Sequence, residues 1–332
     1  MNIVGATLDS GWVVESQVSQ AADATGGNFS LCFVVRRGEE TAFMKAIDYV
    51  RALKSDNPAQ TLNVLTQEFL FEQSILEQCG DRRLRRVVRA VDQGVVKVNT
   101  ELGETVVQYL ILEKADKDLR RAISAGIEFA AKLRALHQAA VGVTQLHGIG
   151  VAHQDIKPSN VLIFDSSGVK VGDLGCASDQ NRPRARDGNA VAGDPWYAPP
   201  DLLYGVVEPD WEVRRMGCDA YLVGSLAYSL FTRVGITKAM VARLPQAVRS
   251  GQWRFSEVLP FWKSAFEDCI RELRGLVGPK FEDLIAVVRE LCDPDPVSRR
   301  ANMGEVGGPL GKYIARLDIL AKRAELSVRQ ST

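Results

Sequence analysis

The segment at residues 153–160, with the sequence HQDIKPSN, constrains this chain more than any other feature. An acid, a lysine and an asparagine lie close together there: Asp155, Lys157 and Asn160. A second acidic motif, Asp173-Leu174-Gly175, follows after a short apolar hairpin. Phosphoryl transfer uses this set of groups, because a carboxylate must orient the attacking hydroxyl, a cation must offset phosphate charge, and Asn and Asp oxygens must hold magnesium.

Length and charge limit the classes of protein to which the chain can belong. Its 332 residues suit two lobes or one large domain and are enough to bury a core. Lys and Arg together number 41, as do Asp and Glu, so the formal net charge is zero. A nucleic-acid binder driven by bulk positive charge is not expected, and we predict no nucleic-acid partner.

The cysteines and the apolar segments indicate where the protein works. Six cysteines are scattered without a CxxC pair or a Cys/His cluster of zinc spacing, which predicts reduced thiols in a cytosol. The N-terminus has neither the basic nor the apolar region of a signal peptide. The longest apolar run, residues 220–231, is shorter than the roughly 20 residues that span a bilayer. We therefore expect a cytoplasmic protein without a membrane segment.

Apolar periodicity divides the chain into a strand-rich part and a helical part. The first part is predicted to hold strands and one helix, which Gly80 ends. The strands are expected at residues 12–14, 29–35, 41–47, 87–91 and 106–112, and the helix at 65–79. Later apolar stripes predict helices at 129–146, 220–231 and 313–328, and a hairpin at 161–164 and 169–171.

The order of these motifs resembles that of the protein kinase superfamily, specifically the eukaryotic-like serine/threonine kinases of bacterial type. The resemblance covers the chain from about Trp12 to Arg300. It implies an α+β fold with two lobes. Residues 1–114 would form a small antiparallel-sheet lobe with one helix, which binds nucleotide. Residues 115–332 would form a larger, mostly helical lobe, which carries the catalytic and activation segments.

The resemblance also assigns residues to the binding of ATP. Lys45 stands where a lysine on the third strand grips the α- and β-phosphates, with Glu72 as its expected partner and Glu68 as the alternative. Gly26 and Gly27 belong to the loop that would cover the phosphates.

Residues 111–115 resemble the hinge between the lobes. Leu112 would be the gatekeeper, and the backbone of Glu113 and Ala115 would bond the adenine edge. Asp118 resembles the acid that takes the ribose hydroxyls, and an N-cap for the next helix is an equal alternative.

In the catalytic loop, Asp155 resembles the catalytic base and Lys157 would neutralise the γ-phosphate. Asn160 and Asp173 would ligate Mg²⁺ through oxygen, which a hard cation prefers. A lysine two residues after the base favours serine/threonine kinases with a protein substrate over tyrosine kinases and small-molecule kinases.

Three further matches are structural. Asp201 stands where the family has a glutamate, and Arg299 matches the arginine that pairs with it. Asp219 resembles the acid that opens the central helix and holds the backbone of the catalytic loop.

Four positions depart from the family's pattern. The glycine-rich loop has Ser30 in place of its last glycine, so it would cradle phosphate less flexibly. Phe43 stands where a small alanine usually lies over adenine, which would narrow the pocket unless the strand is displaced. Gln154 replaces the arginine that normally docks a phosphorylated activation loop. Asp194 replaces a threonine and would pair with Lys157, unless the loop is placed differently.

Residues 173–201, here called the activation segment, contain few hydroxyl groups: Ser178 and Tyr197. Since residue 154 is not an arginine that could receive a phosphate, we predict that phosphorylation of this segment does not switch activity on. The basic cluster at residues 182–186 either meets an acidic substrate or partner, or is a disordered loop.

Three functions are compatible with the sequence. The first is a serine/threonine protein kinase that transfers the γ-phosphate of MgATP to a protein hydroxyl, for which every required group is present. The second is a pseudokinase that serves as a scaffold or nucleotide sensor, which Phe43, Gln154 and the poor glycine loop favour. The third is an enzyme of the same fold that modifies a small molecule or moves another group, which the Lys157 spacing and residues 199–201 oppose.

Overall fold

The computed structural model describes residues 3–18, 30–100, 103–303 and 308–330. The chain divides into two compact units. The first comprises Met1–Leu84 and Val88–Ala115, and the second comprises Arg85–Val87 and Asp116–Thr332. The first unit is built on an antiparallel sheet and the second is mostly helical, which confirms the predicted α+β class.

The described residues of the first unit contain five strands and the helices that connect two of them. The strands are β1 (Val13–Gln17), β2 (Ser30–Arg37), β3 (Glu40–Ile47), β4 (Ala90–Thr100) and β5 (Gly103–Glu113). They form one antiparallel sheet in the order β1-β2-β3-β5-β4. Helices α1 (Tyr49–Leu53) and α2 (Pro58–Asp81) lie between β3 and β4 in the chain.

One face of this sheet builds the core of the first unit, because alternate residues of a strand point to the same side. On β3 the buried residues are Ala42, Met44 and Ala46. Residues before β1 contribute to the same core, and Trp12 is 0% exposed. The guanidinium of Arg37 lies 4.5 Å from the centroid of the Trp12 ring and covers it on the outside.

Three details of the first unit differ from the prediction. Helix α1 is additional to the one helix expected. Helix α2 continues through Gly80, where the sequence predicts its end, to Asp81, and Arg83 just beyond it has a left-handed φ of 54°. Strand β4 extends to Thr100, because Val96 and Val98 alternate with exposed residues and bury one side of the strand.

In the second unit, the part of the chain that the structure describes contains helices α3 to α12 and five short strands. The helices are α3 (Leu119–Ser124), α4 (Phe129–His147), α5 (Pro200–Leu203), α6 (Gly217–Thr232), α7 (Ile236–Arg243), α8 (Gln246–Ser250), α9 (Phe255–Val277), α10 (Glu282–Leu291), α11 (Pro296–Asn302) and α12 (Gly311–Arg329). The strands are β6 (Lys117–Asp118), β7 (Val151–Ala152), β8 (Val161–Phe164), β9 (Gly168–Val171) and β10 (Ser178–Asp179). Strands β6, β8 and β9 form one antiparallel sheet, and β7 pairs with β10. None of the helices in the described parts of the chain has the length and apolarity needed to cross a bilayer.

Helix α6 lies in the middle of the second unit. Gly217–Leu230 is buried without interruption, as a helix that is apolar all round must be. Helices α4, α9 and α10 pack against it. The hairpin of β8 and β9 and helices α4, α6 and α12 lie where the sequence pattern predicts them, within a few residues at each end.

The segment at residues 85–87 belongs to the second unit, whereas the predicted boundary at residue 114 puts it in the first. Arg86 donates its N–H to Oε1 of Gln145 on α4 (2.9 Å), and its carbonyl accepts from Val171 N on β9 (2.9 Å). A Cβ at Gly142 would lie 2.5 Å from the Arg86 carbonyl oxygen. Glycine at position 142 therefore lets α4 approach this segment.

Helix α12 packs along α4 and is joined to it by Arg134. The guanidinium donates from Nε and Nη2 to the two carboxylate oxygens of Glu325 (2.8 and 2.9 Å) and from Nη1 to Asp318 (2.8 Å). Lys322 and Arg134 together lower the pKa of Asp318 to about 2. The two-pronged geometry fixes the orientation of α12 as well as its position.

Replacement of Arg134 by methionine is expected to loosen α12. Because the pairs are partly exposed, we expect a loss of about 1 kcal/mol in the free energy of unfolding. Amide exchange in α12 should accelerate more than exchange in α6. The control is Arg271→Met, which removes an exposed pair with Asp268 and should leave exchange in α12 unchanged. If the amide exchange rates in α12 were equal in the Arg134 and Arg271 variants, Arg134 would not be what holds α12.

Candidate active site

An ion pair inside the first unit joins its third strand to its long helix. Lys45 on β3 donates from Nζ to Oε2 of Glu72 on α2 over 2.7 Å, and Glu72 is 4% exposed. The structure thus brings Lys45 to its expected partner. The buried carboxylate holds the ammonium group at a fixed place on the strand.

Phe43 lies two residues before Lys45 and so shares its face of β3. Across the sheet, Phe43 is opposite Leu112 of β5. The residue predicted to narrow the adenine pocket and the predicted gatekeeper are therefore neighbours in the ladder. The core-facing residues of β3 lie on the other side of the strand.

The backbone groups predicted to meet adenine lie at the end of β5. The N–H of Glu113 donates to the carbonyl of Arg89 (3.1 Å), and the Glu113 carboxylate accepts the N–H of Arg89 (2.8 Å). The Glu113 N–H is therefore already bonded to the residue that precedes β4. Ala115 is the last residue of the first unit, and Gly26 and Gly27 lie outside the described residues.

Asp118 caps a helix. Its Oδ1 accepts the N–H of Arg121 over 2.7 Å at the start of α3, which is the N-cap arrangement considered as an alternative to ribose binding. One carboxylate oxygen is committed to the helix by this bond.

In the second unit, the catalytic-loop residues form one hydrogen-bonded cluster. Asp155, Lys157 and Asn160 are each between 4% and 6% exposed. Lys157 Nζ lies 2.9 Å from Asp155 Oδ2. Asn160 Nδ2 donates to the Asp155 carbonyl (2.8 Å) and to Asp155 Oδ2 (2.9 Å). The structure thus brings together the three residues that the motif predicts, with the carboxylate at their centre.

The electrostatics of Asp155 are set by opposing influences. Burial raises the pKa of this carboxyl, the ammonium group of Lys157 opposes that rise, and the nearby charge of Asp173 adds to it. A cation close to both carboxylates would relieve the repulsion between them.

Asn160 and Asp173 offer oxygen atoms that suit magnesium. The two Asn160 N–H bonds fix the orientation of its amide, and Asp173 has a left-handed φ of 61° at the start of a 3-10 turn (Leu174–Cys176). No group of three or more His, Cys, Asp or Glu side chains in the described residues could hold a metal by itself. Two protein ligands still fit Mg²⁺, which completes its shell with phosphate oxygens and water.

Asp219, at the start of α6, holds the backbone of the catalytic loop. Its Oδ2 accepts the N–H of His153 (2.7 Å), and its Oδ1 accepts the N–H of Gln154 (2.7 Å). The ring of His147 contacts the same carboxylate from α4 (2.9 Å). On the other side of the loop, the His153 ring contacts the carbonyl of Gly172 (3.0 Å). The loop is therefore fixed on both sides.

The activation segment contacts the carboxylate of Asp155 directly. Asp194 donates its N–H to Asp155 Oδ1 (2.9 Å), and its own Oδ2 lies 3.7 Å from Lys157 Nζ. The lysine is therefore shared between two aspartates. A Cβ at Gly193 would lie 2.3 Å from the carbonyl oxygen of Gln154, so only glycine permits this approach. We did not single out Gly193 from the sequence, where a lone glycine before an acid carries little signal.

The basic cluster at residues 182–186 is used within the activation segment. Arg182 pairs with Asp179 (2.7 Å), Arg184 donates to the carbonyl of Ala177, and Arg186 donates to the carbonyl of Gly175 (2.9 Å). The disordered-loop alternative is therefore wrong, whereas contact with an acidic substrate or partner stays a prediction. The cluster is folded, because main-chain carbonyls of the same segment accept its guanidinium groups.

Two further contacts concern the segment and its end. Ser178 is 1% exposed, and its hydroxyl accepts the indole N–H of Trp211 (3.0 Å). Arg299 donates from Nη2 to Asp201 Oδ1 over 2.7 Å, and both side chains are buried. The aspartate that stands in place of the family's glutamate thus still reaches its arginine.

Substitution of Asp219 by asparagine is expected to disturb the catalytic loop. The new amide would turn an N–H₂ group towards donors that need an acceptor, and a buried group left unsatisfied costs about 2–3 kcal/mol. Denaturant unfolding should show that loss. Asp165→Asn, which changes an exposed side chain on the following hairpin, is the matched control and should be neutral. Equal stability of the two variants would refute the role given to Asp219.

Comparisons with known proteins agree with this geometry. The family model described as "Protein kinase domain" matches residues 26–305. The dual serine/threonine and tyrosine protein kinase of Strongylocentrotus purpuratus is 32% identical over 155 residues, which are 47% of this chain and 15% of that protein. Its Gallus gallus counterpart of the same name is 30% identical over 115 residues, 35% of this chain and 12% of that protein. The CTD kinase subunit alpha of Saccharomyces cerevisiae is 32% identical over 145 residues, 43% of this chain and 26% of that protein.

The alignments thus span about an eighth to a quarter of the length of these curated relatives. The family model covers much more of this chain than the pairwise alignments do. Because that model spans most of the chain and the catalytic-loop side chains converge as the motif requires, this chain belongs to the protein kinase family.

Proposed function

We propose that this chain transfers the γ-phosphate of ATP, bound with Mg²⁺, to a serine or threonine hydroxyl of a protein substrate. The observation that carries the proposal is the buried cluster of Asp155, Lys157 and Asn160, with Asp173 close enough to perturb the central carboxylate. A scaffold has no need of these groups, and burying charged residues is costly unless their geometry serves a purpose.

Each of the four site residues of the second unit has a role in this proposal. Asp155 accepts or orients the proton of the attacking hydroxyl, since its Oδ1 accepts one N–H and a carboxylate oxygen has two lone pairs. Lys157 offsets charge on the transferred phosphoryl group. Asn160 and Asp173 would hold Mg²⁺, which neutralises phosphate charge when bound.

The first unit would bind the nucleotide. Lys45, held by Glu72, would contact the α- and β-phosphates, as in active members of the family. Gly26, Gly27, Glu113 and Ala115 are proposed to meet the phosphates and the adenine edge. For Asp118 we propose the ribose contact through the carboxylate oxygen that does not cap α3.

The preference for serine and threonine rests on Lys157 alone. Two of the relatives described above are named as dual serine/threonine and tyrosine kinases, so the assay must resolve all three acceptors. A cytoplasmic location is proposed from the cysteines, because all six are free thiols, as expected in a reducing compartment. The bacterial-type architecture remains a prediction, since the relatives described above are animal and yeast proteins.

A pseudokinase is the second candidate, and one observation favours it. Phe43 lies on the same face of β3 as Lys45, where a benzyl group would compete with adenine for space. If Phe43 fills the space for adenine, the chain would keep the cluster of Asp155, Lys157 and Asn160 and yet not bind ATP. Nucleotide binding and phosphate transfer must therefore be measured separately.

The decisive experiment is transfer of labelled γ-phosphate from MgATP to a generic protein acceptor, followed by phosphoamino-acid analysis. Asp155→Ala and Asp173→Ala should each lower turnover by about 10²- to 10⁴-fold or more. Asp165→Ala, which changes an exposed aspartate, should not. Thermal shift with MgATP is recorded in parallel. Undiminished transfer in the Asp155 variant would exclude the kinase assignment, and nucleotide binding without transfer would establish the pseudokinase.

Ser178→Ala is expected to retain activity. The hydroxyl is buried against Trp211, so an upstream kinase cannot reach it without unfolding β10. Its loss removes one acceptor and should cost about 1 kcal/mol of stability. The measurement is the initial rate of phosphate transfer, together with mass analysis of the wild-type segment. Loss of activity beyond the loss of folded protein, or phosphate at position 178, would contradict this prediction.

A further inference from the structure

A buried arginine links the activation segment to the rest of the second unit. Arg215 lies in a π-helical turn, Glu212–Met216, that leads into α6, and it is 1% exposed. From Nη2 its guanidinium donates to the carbonyls of Asp187 (2.7 Å) and Asn189 (3.0 Å). One side chain therefore holds two carbonyls of a stretch whose regular structure is a single 3-10 turn, Ala185–Gly188.

The same guanidinium reaches the catalytic loop through Gln154. Arg215 Nη1 donates to Gln154 Oε1 (3.1 Å), and Gln154 Nε2 donates back to the Arg215 carbonyl (2.7 Å) and to Asp219 Oδ1 (3.0 Å). Gln154 directly precedes Asp155, and its φ of 66° is one that a non-glycine residue keeps only when its surroundings hold it. Residues 187–189 are thus connected to the residue before the catalytic carboxylate.

An uncharged side chain with an acceptor oxygen at position 154 suits the buried guanidinium of Arg215. The oxygens that the guanidinium reaches are uncharged, and burial lowers the pKa of Arg215, as does the neighbouring Arg214. An arginine at position 154, which the family usually has, would place a second guanidinium within hydrogen-bond distance in a buried site. That arrangement is unfavourable because like charges repel strongly when they are shielded from water. Glutamine instead offers an acceptor to Arg215 and a donor to Asp219.

In this chain the cation and its acceptors come from other groups than in the family's usual pattern. In the resemblance described above, an arginine of the catalytic loop receives a phosphate carried by the activation segment. Here the cation comes from the turn before α6, and its hydrogen bonds to the segment go to the backbone carbonyls of Asp187 and Asn189. Carbonyls are present at every residue, so no modification is needed to complete the contact.

We propose that Arg215 is a positioning residue that holds residues 187–189 to the catalytic loop without phosphorylation. As a consequence, the surface that binds the protein substrate is ordered at all times. The first statement concerns the fold of the segment alone, and the second rests on the proposed kinase function. The two can therefore be tested separately.

Limited proteolysis tests the first statement without any activity measurement. Trypsin cleaves after arginine. Arg184 and Arg186 lie directly before the held residues 187–189, whereas Arg182 is protected by the proline that follows it. Loss of hydrogen bonds to a charged group should raise the open population of the stretch by about 10- to 100-fold. Cleavage after Arg184 and Arg186, followed by mass spectrometry, should accelerate by that factor in Arg215→Met.

Arg214→Met is the matched control, because it removes the adjacent arginine. Arg214 Nε is buried and finds no hydrogen-bond acceptor among the described residues, so its removal should leave cleavage unchanged. Arg215→Lys should give an intermediate rate, since an ammonium group cannot reproduce the planar fork of a guanidinium. If Arg215→Met fails to fold, Gln154→Met is used in its place. It removes the oxygen that accepts from Arg215 Nη1, which loosens the guanidinium, and should also accelerate cleavage. Cleavage rates equal to wild type in the folded variants would overturn the proposal.

Kinetics test the second statement, on protein treated with phosphatase and shown by mass to carry no phosphate. Arg215→Met should raise KM for the protein substrate by about tenfold while KM for ATP stays unchanged, with partial rescue in Arg215→Lys. A merely structural defect would lower the active fraction and leave both KM values as they are. Loss of wild-type activity on phosphatase treatment, or equal KM values in wild type and Arg215→Met, would overturn the statement. A wild type without transfer but with the expected cleavage pattern would refute the kinase function and support the role of Arg215 in the fold.

Discussion

The geometry of the second unit depends on one buried carboxylate. Asp219 is 0% exposed at the start of a helix that is itself buried, and its oxygens accept bonds from the backbone of His153 and Gln154. A carboxylate in such a place is costly unless its oxygens are satisfied, so any loop conformation that withdraws these donors is disfavoured. The position of Asp155, one residue further on, follows from this requirement.

The other buried charges of the protein act in the same way. Lys45 with Glu72, Lys157 with Asp155, and Arg299 with Asp201 each join elements that are distant in the chain or fix the orientation of a loop. Replacing such pairs by apolar residues of similar volume is often neutral for stability. We therefore read them as constraints on geometry, whereas the apolar contacts of the sheet face and of α6 supply most of the free energy of folding.

The sequence predicts those parts of the site whose residues lie close together along the chain. Asp155, Lys157 and Asn160 lie within one short loop, so their convergence could be expected from the motif. Arg215 and Gly193 could not be found in this way. The partners of Arg215 are carbonyl oxygens, which have no signature in a sequence, and Gly193 is required only because the Gln154 carbonyl approaches it in space. Strand β4 extends beyond the predicted residues 87–91 for a similar reason, since polar residues on its exposed side interrupt the apolar pattern.

The glutamine at position 154 shows why a residue that departs from a family pattern has to be interpreted together with the residues that contact it. Taken alone, glutamine in place of arginine suggests a lost function and favoured the pseudokinase. In the structure, Gln154 accepts from Arg215 and donates to Asp219, so the position connects the catalytic loop to α6 and to the arginine that bonds the carbonyls of Asp187 and Asn189. The positive charge is provided from a different element, and its acceptors no longer depend on a modification. The departure therefore argues for a changed mode of regulation, and it leaves the groups needed for phosphate transfer in place.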